Sequence, residues 1–191
     1  MKALAVATLA ALGLAAPVAA PVPRLDHVVV IVFENKERAQ VLGNAGAPTF
    51  ARLARDGADL VDYYAVTHPS LPNYLALVSG STQGVTGDCT ACVVHGTSLG
   101  DLLTRAHLAW GAYAEGYPAS PRFAKKHVPF LYFPQDRTHV HALAALRPAQ
   151  LPAFALVVPD LCDDMHDCSI ATGDRWLARV APRLQIGRAH V

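Results

Sequence analysis

Three short stretches of this sequence gather side chains able to act on one small group. Glu34-Asn35 sets a carboxylate beside an amide oxygen; both are hard oxygen donors of the kind that bind a divalent cation, although the same pair also makes a simple turn. Thr67-His68-Pro69-Ser70-Leu71-Pro72-Asn73-Tyr74 puts a serine where a helix should begin, because Pro72 suits a first helical turn in which its missing N–H costs nothing. Free N–H groups and the macrodipole make such a terminus attractive to an anion. Ser70 there would cap the helix. With its pKa lowered by a cation at Glu34-Asn35, it would instead be a nucleophile toward a phosphoryl group held at the same terminus. Asn73, one turn on, could donate its amide to a phosphoryl oxygen. The third stretch, Asp163-Asp164-Met165-His166-Asp167, lies between Cys162 and Cys168. It reads either as a site, with His166 suited to proton transfer near neutrality, or as a solvated acidic loop. Lys125-Lys126-His127 supplies positive charge for a phosphate, or is an ordinary basic patch.

The elements that must position these residues alternate. His27 to Phe33 is a continuous β-branched run, the pattern of a strand buried on both faces of a parallel sheet. Strands are also predicted over 58–66, 108–114 and 153–158, and helices over 48–55, 72–79, 98–107 and from Asp174 onward. Alternating strands and helices imply an α/β fold with a mostly parallel sheet and helices on both faces. In such sheets ligands bind beyond the carboxyl ends of the strands, which is where the three stretches fall. Gly116 to Ala149, carrying five prolines, reads as an irregular insertion over the sheet.

Composition excludes several classes. The 191 residues carry 16 Lys+Arg against 15 Asp+Glu, a net charge of +1, so no electrostatic footprint for nucleic acid or an anionic membrane exists. At 52% hydrophobic and 16% charged, the chain is not disordered. Met1-Lys2, the apolar run to Ala16 and the small residues to Ala20 read as a secretory signal peptide, which predicts a secreted, periplasmic or cell-envelope protein. No later apolar run approaches the ~18 residues of a membrane span. Export suits disulfides among Cys89, Cys92, Cys162 and Cys168, whose three connectivities the sequence leaves open. A zinc site is the rival, with poor ligand spacing. Residues 21–185 are expected to be the N-terminal part of a longer domain. Ile186 to Val191 matches one reading frame of a widely used sequencing adapter, so these six residues are expected to be a read-through scar and the native chain to continue.

The strand ending in Glu34-Asn35, the run from Thr67 through Ser70-Leu71-Pro72-Asn73 to Thr86, Lys125 to Phe130 and Val158 to Leu177 together resemble the bacterial phosphoesterase family. That family holds secreted acid phosphatases, phosphoinositide phosphatases and phospholipase C-like enzymes on an alkaline-phosphatase-like fold. The resemblance implies a divalent metal bound by Glu34, Asn35 and Ser70, with Ser70 as nucleophile. It places Asn73, Lys126, His127 and His166 near the phosphate of a small-molecule or lipid ester, with His166 as a catalytic acid. It also implies an Asp-rich motif after a later strand, which this sequence lacks. Three ligands fall short of the roughly six a hard cation takes, so the 191 residues are expected to be an inactive fragment of an active phosphomonoesterase. The alternatives are a phospholipase C-like phosphodiesterase and a non-catalytic secreted binding protein. A Ser-His-Asp hydrolase is disfavoured, since no Gly-x-Ser-x-Gly elbow is present.

Overall fold

The computed structural model describes residues 24–184. The expected leader and terminal hexapeptide lie outside the described residues. Four strands, β1 (Val28–Ile31), β2 (Trp110–Ala114), β3 (Val140–Ala142) and β4 (Phe154–Val158), form one sheet in the order β1-β4-β2-β3. Every pairing is parallel. Five α-helices accompany them: α1 (Arg38–Leu42), α2 (Pro48–Asp56), α3 (Ser70–Ser79), α4 (Leu99–Arg105) and α5 (Ile170–Leu184).

The apolar strand runs follow from burial on both faces. Leu156 and Val158 of β4 and Ala112 and Ala114 of β2 face Leu71, Leu75 and Val78 of α3, with Leu99 and Leu103 of α4 beside them. The alternate residues Ala155 and Val157 face Trp176, Leu177 and Ala181 of α5, with Phe50 and Leu53 of α2. Each fully buried leucine contributes roughly 1.5–3 kcal/mol. The α2 terminus has no cap from its own Ala47. Asp174 of α5, 4% exposed, supplies one by accepting from the N–H groups of Thr49 and Phe50 at 2.8 and 3.1 Å.

Two expectations are corrected. The segment 58–66 is not a strand: 55–69 are all exposed and no strand of the sheet lies beside them. Strand-forming residue types make a strand only where a neighbour completes the ladder. The insertion 116–149 is not wholly irregular. It holds four 3-10 turns (Lys125–His127, Pro129–Tyr132, Pro134–His139 and Leu143–Ala145), the start of a fifth (Pro148–Gln150) and the edge strand β3, whose three residues were hidden among prolines. Its Phe130 and Tyr132 are fully buried in the core.

Candidate active site

The first two stretches meet at the carboxyl end of the sheet. Glu34 follows β1 and is 8% exposed, its N–H bonded to the Asp164 carbonyl at 2.8 Å. Asn35 then takes a positive φ of 51°, a conformation asparagine tolerates, and turns the chain out of the core. Ser70 opens α3. Its hydroxyl donates to Glu34 Oε2 at 3.2 Å, joining residues far apart in sequence.

The turn before Ser70 is held by Asn73. Its amide donates to the carbonyls of Thr67 and Pro69, both at 2.8 Å, and its oxygen accepts from the N–H groups of Val66 and Thr67 at 2.9 and 3.1 Å. All its hydrogen-bonding capacity is thereby committed to the backbone. Asp88 sits at the α3 terminus, accepting from the Leu71 N–H at 3.0 Å and from Lys126 Nζ at 2.9 Å. Burial opposes its ionisation, but these two donors hold the Asp88 carboxyl below the usual range.

His127 is 1% exposed. Its Nδ1 lies 3.1 Å from Asp164 Oδ2 and its Nε2 3.5 Å from Glu34 Oε1. The Tyr74 ring stacks on it, with centroids 5.1 Å apart, and His166 lies 5.6 Å away on another side. Burial first, and then the Glu34 and Asp164 carboxylates, push the Tyr74 hydroxyl well above the usual tyrosine range. Both Tyr74 OH and His127 Nε2 are buried without a hydrogen-bond partner among the described residues.

The third stretch is divided. The disulfide Cys162–Cys168 closes it, and Met165 at φ 74° reverses the backbone within it. A Cβ on Gly173 of α5 would overlap the Met165 side chain that packs there. Asp164 joins His127, Asp167 holds His166 Nδ1 at 2.6 Å, and Asp163 turns to Glu115 and Asp160. The oxygens of those last three lie within 4.8 Å of one another. Burial first, with neighbouring carboxylates adding, raises the pKa of both Glu115 and Asp163. The other disulfide, Cys89–Cys92, follows Asp88, so both bridges are local.

Glu34, Ser70, His127 and His166 therefore lie in one neighbourhood, with Lys126 reaching α3 through Asp88 and Asn73 behind the turn. Sequence reasoning missed Tyr74, Asp88, Glu115 and Asp160 as individual participants. For Glu115 and Asp160 a signal existed, since each directly follows or nearly follows a strand at its carboxyl end.

Comparison with known proteins agrees in direction. The model of a family described as the Phosphoesterase family matches residues 44–189. A phosphatidylinositol-3-phosphatase of Mycobacterium tuberculosis is 38% identical over 176 residues, covering 84% of this chain and 58% of the relative. A phosphate-repressible acid phosphatase of Penicillium chrysogenum is 28% identical over 152 residues, covering 68% of this chain and 37% of its own. An acid phosphatase of Aspergillus fumigatus is 30% identical over 149 residues, covering 65% and 33%. The chain thus spans a little over half the length of the mycobacterial relative and about a third of the fungal ones.

Proposed function

The chain belongs to the phosphoesterase family, and on that premise we propose that it carries the nucleophile of an exported, metal-assisted phosphomonoesterase, with Ser70 as the attacking group. The carrying observation is the Ser70 hydroxyl, at the N-terminus of α3, bonded to the buried Glu34 carboxylate.

Glu34 and Ser70 fit part of the oxygen shell of a hard divalent cation. Two buried carboxylates lie on either side of the His127 ring, Asp164 at Nδ1 and Glu34 at Nε2, and Nε2 has no hydrogen-bond partner among the described residues. Such concentrated negative charge calls for a compensating cation. Glu34, Asn35 and Ser70 would hold it, and when bound it would acidify the serine hydroxyl and neutralise phosphoryl charge. The chain's own groups do the rest. Glu34 Oε2 accepts the hydrogen bond of the proton that Ser70 must lose. Ser70 Oγ, its proton leaving through Glu34 Oε2, bonds to phosphorus as the ester P–O bond breaks, and the α3 terminus favours the developing charge; water then cleaves the phosphoseryl bond, releasing phosphate and restoring the serine hydroxyl. Asp167 engages Nδ1 of the half-buried His166, leaving Nε2 to protonate the departing oxygen. Lys126 supplies phosphate-facing positive charge once Asp88 yields it. Asn73 and His127 are positioning residues, one for the turn and the other for the two carboxylates.

The mycobacterial relative's name supports a phosphate monoester on a lipid headgroup as one substrate. Both bridges suit an oxidising compartment, and no helix among the described residues is long and apolar enough to cross a membrane. The test, made on a form of the protein that turns over a phosphomonoester, is an acid quench with that ester and a divalent cation, followed by peptide mass mapping. Phosphate on Ser70, and a loss of at least ~10³-fold in turnover in Ser70→Ala, are expected; equal turnover in the variant would refute the assignment. A phosphodiester assayed in parallel distinguishes the phospholipase C-like alternative.

A further inference from the structure

Asp88, from the loop between α3 and α4, sets a negative charge of the protein's own at the N-terminus of α3. It accepts from the Leu71 N–H at 3.0 Å and from Lys126 Nζ at 2.9 Å. Leu71 directly follows Ser70 in the first turn, so this carboxylate stands at the terminus where Ser70 would meet a phosphoryl group. It also neutralises the one lysine expected to face that group. The pair is open to an incoming ligand, with the Asp88 side chain 32% exposed and that of Lys126 27%. The Cys89–Cys92 bridge begins at the next residue and fixes the loop beside it. Other groups near the carboxylate are already engaged or uncharged. Lys125 Nζ donates to the Thr90 carbonyl at 2.6 Å and lies over the Tyr132 ring. Burial first, and then Asp88, push the Tyr132 hydroxyl up to about 12, so it stays protonated. His127 faces Glu34 and Asp164 instead. A neutral asparagine would cap α3 as well; what the carboxylate adds is charge.

We infer that Asp88 is a specificity-determining residue, which favours phosphoryl groups bearing one negative charge over those bearing two. The inference rests on the α3 terminus beside Ser70 as the phosphate site. Coulomb energy is proportional to the charge on the ligand, so Asp88 opposes a dianion twice as strongly, on a free-energy scale, as a monoanion. To bind, the phosphoryl group must also win Lys126 and the Leu71 N–H from the carboxylate. A phosphomonoester passes from one charge to two near about pH 6, whereas a phosphodiester keeps one. Asp88 thereby favours monoester binding on the acid side of that pH and imposes no such dependence on a diester.

The experiment titrates methyl phosphate and dimethyl phosphate into the full chain at pH 8, with a divalent cation present, and follows the Leu71 amide by NMR. At that pH the first probe carries two charges and the second one. Asp88→Asn keeps an acceptor for the Leu71 N–H and loses only the charge. It should tighten methyl phosphate roughly tenfold and dimethyl phosphate about threefold, the square root expected for half the charge. Asp88→Ala should show the same preference for the dianion but melt lower than Asp88→Asn, which separates the charge from the cap. Equal gains for the two probes, or no gain, overturn the inference, as does binding that leaves the Leu71 amide unmoved. Absence of binding by both probes overturns it too, because Asp88 then guards no phosphate site. The Ser70 assignment is judged separately, by phosphate found on that serine, so either can fail alone.

Discussion

Nδ1 of His127 lies 3.1 Å from Oδ2 of Asp164, with both side chains 1% exposed. This contact ties the loop closed by Cys162–Cys168 to the insertion between β2 and β3. Through the backbone bond from Glu34 to Asp164, it also ties both to the end of β1.

Removing the imidazole leaves two buried carboxylates without the group between them. His127→Ala should therefore cost about 3 kcal/mol, lowering the thermal midpoint by roughly 6–12 °C for a domain of this size. Scanning calorimetry without added metal checks this; an unchanged midpoint would show that the His127 ring organises nothing.

Asn73 separates positioning from binding. With all its bonds committed to the turn, Asn73→Ala should reduce kcat by roughly 10²-fold through displacement of Ser70. Stability should fall by about 1–2 kcal/mol, because the freed backbone groups are exposed to water. A rise in KM with kcat intact would instead make Asn73 a phosphate ligand.

Asp136 predicts a pH dependence of stability. Burial, with Asp101 adding and the Ser98 hydroxyl at 2.5 Å and His139 opposing, pushes its carboxyl up to about 6. Its folded pKa lies above the unfolded value near 3.8, so its contribution is fully present below about pH 4 and is lost as pH rises through about 6. The difference is no more than about 3 kcal/mol. Denaturant midpoints should favour Asp136→Asn over wild type at pH 7.5 and converge by pH 4. Parallel curves would rule out this titration.

The Cys162–Cys168 bridge closes a short loop and should contribute about 2 kcal/mol by restricting the unfolded chain. The double Cys→Ser variant should melt correspondingly lower. It should also lose turnover, because Asp164 and His166 both sit inside that loop. Unaltered turnover would show that packing of Met165 alone holds them.

Much of the scaffold was legible in local sequence. The β-branched run before Glu34 marked β1, although β1 lies at the sheet's edge and is only half-buried rather than buried on both faces, and Pro72 with the apolar residues after it marked α3. Three features of the site were not legible. Tyr74 looks like any apolar helix-face residue until its ring is found stacked on His127, a contact between distant segments. Asp88 has no signature in a loop, since its role comes from meeting Leu71 and Lys126. The acids Asp163, Asp164 and Asp167 look like one cluster, but the reversal at Met165 sends them to three different partners.

The sequence by itself determined the residue types of the site, the α/β class with β1, β2 and β4, and the placement of Ser70 at a helix start. These depend on side-chain chemistry and on periodicity over a few residues. Only the tertiary structure decided which carboxylate meets which histidine, how the four cysteines pair, and that residues 58–66 find no strand partner among those described. Each of those outcomes is a contact between residues far apart or reversed within a loop, and it is set by packing of whole elements rather than by any local preference.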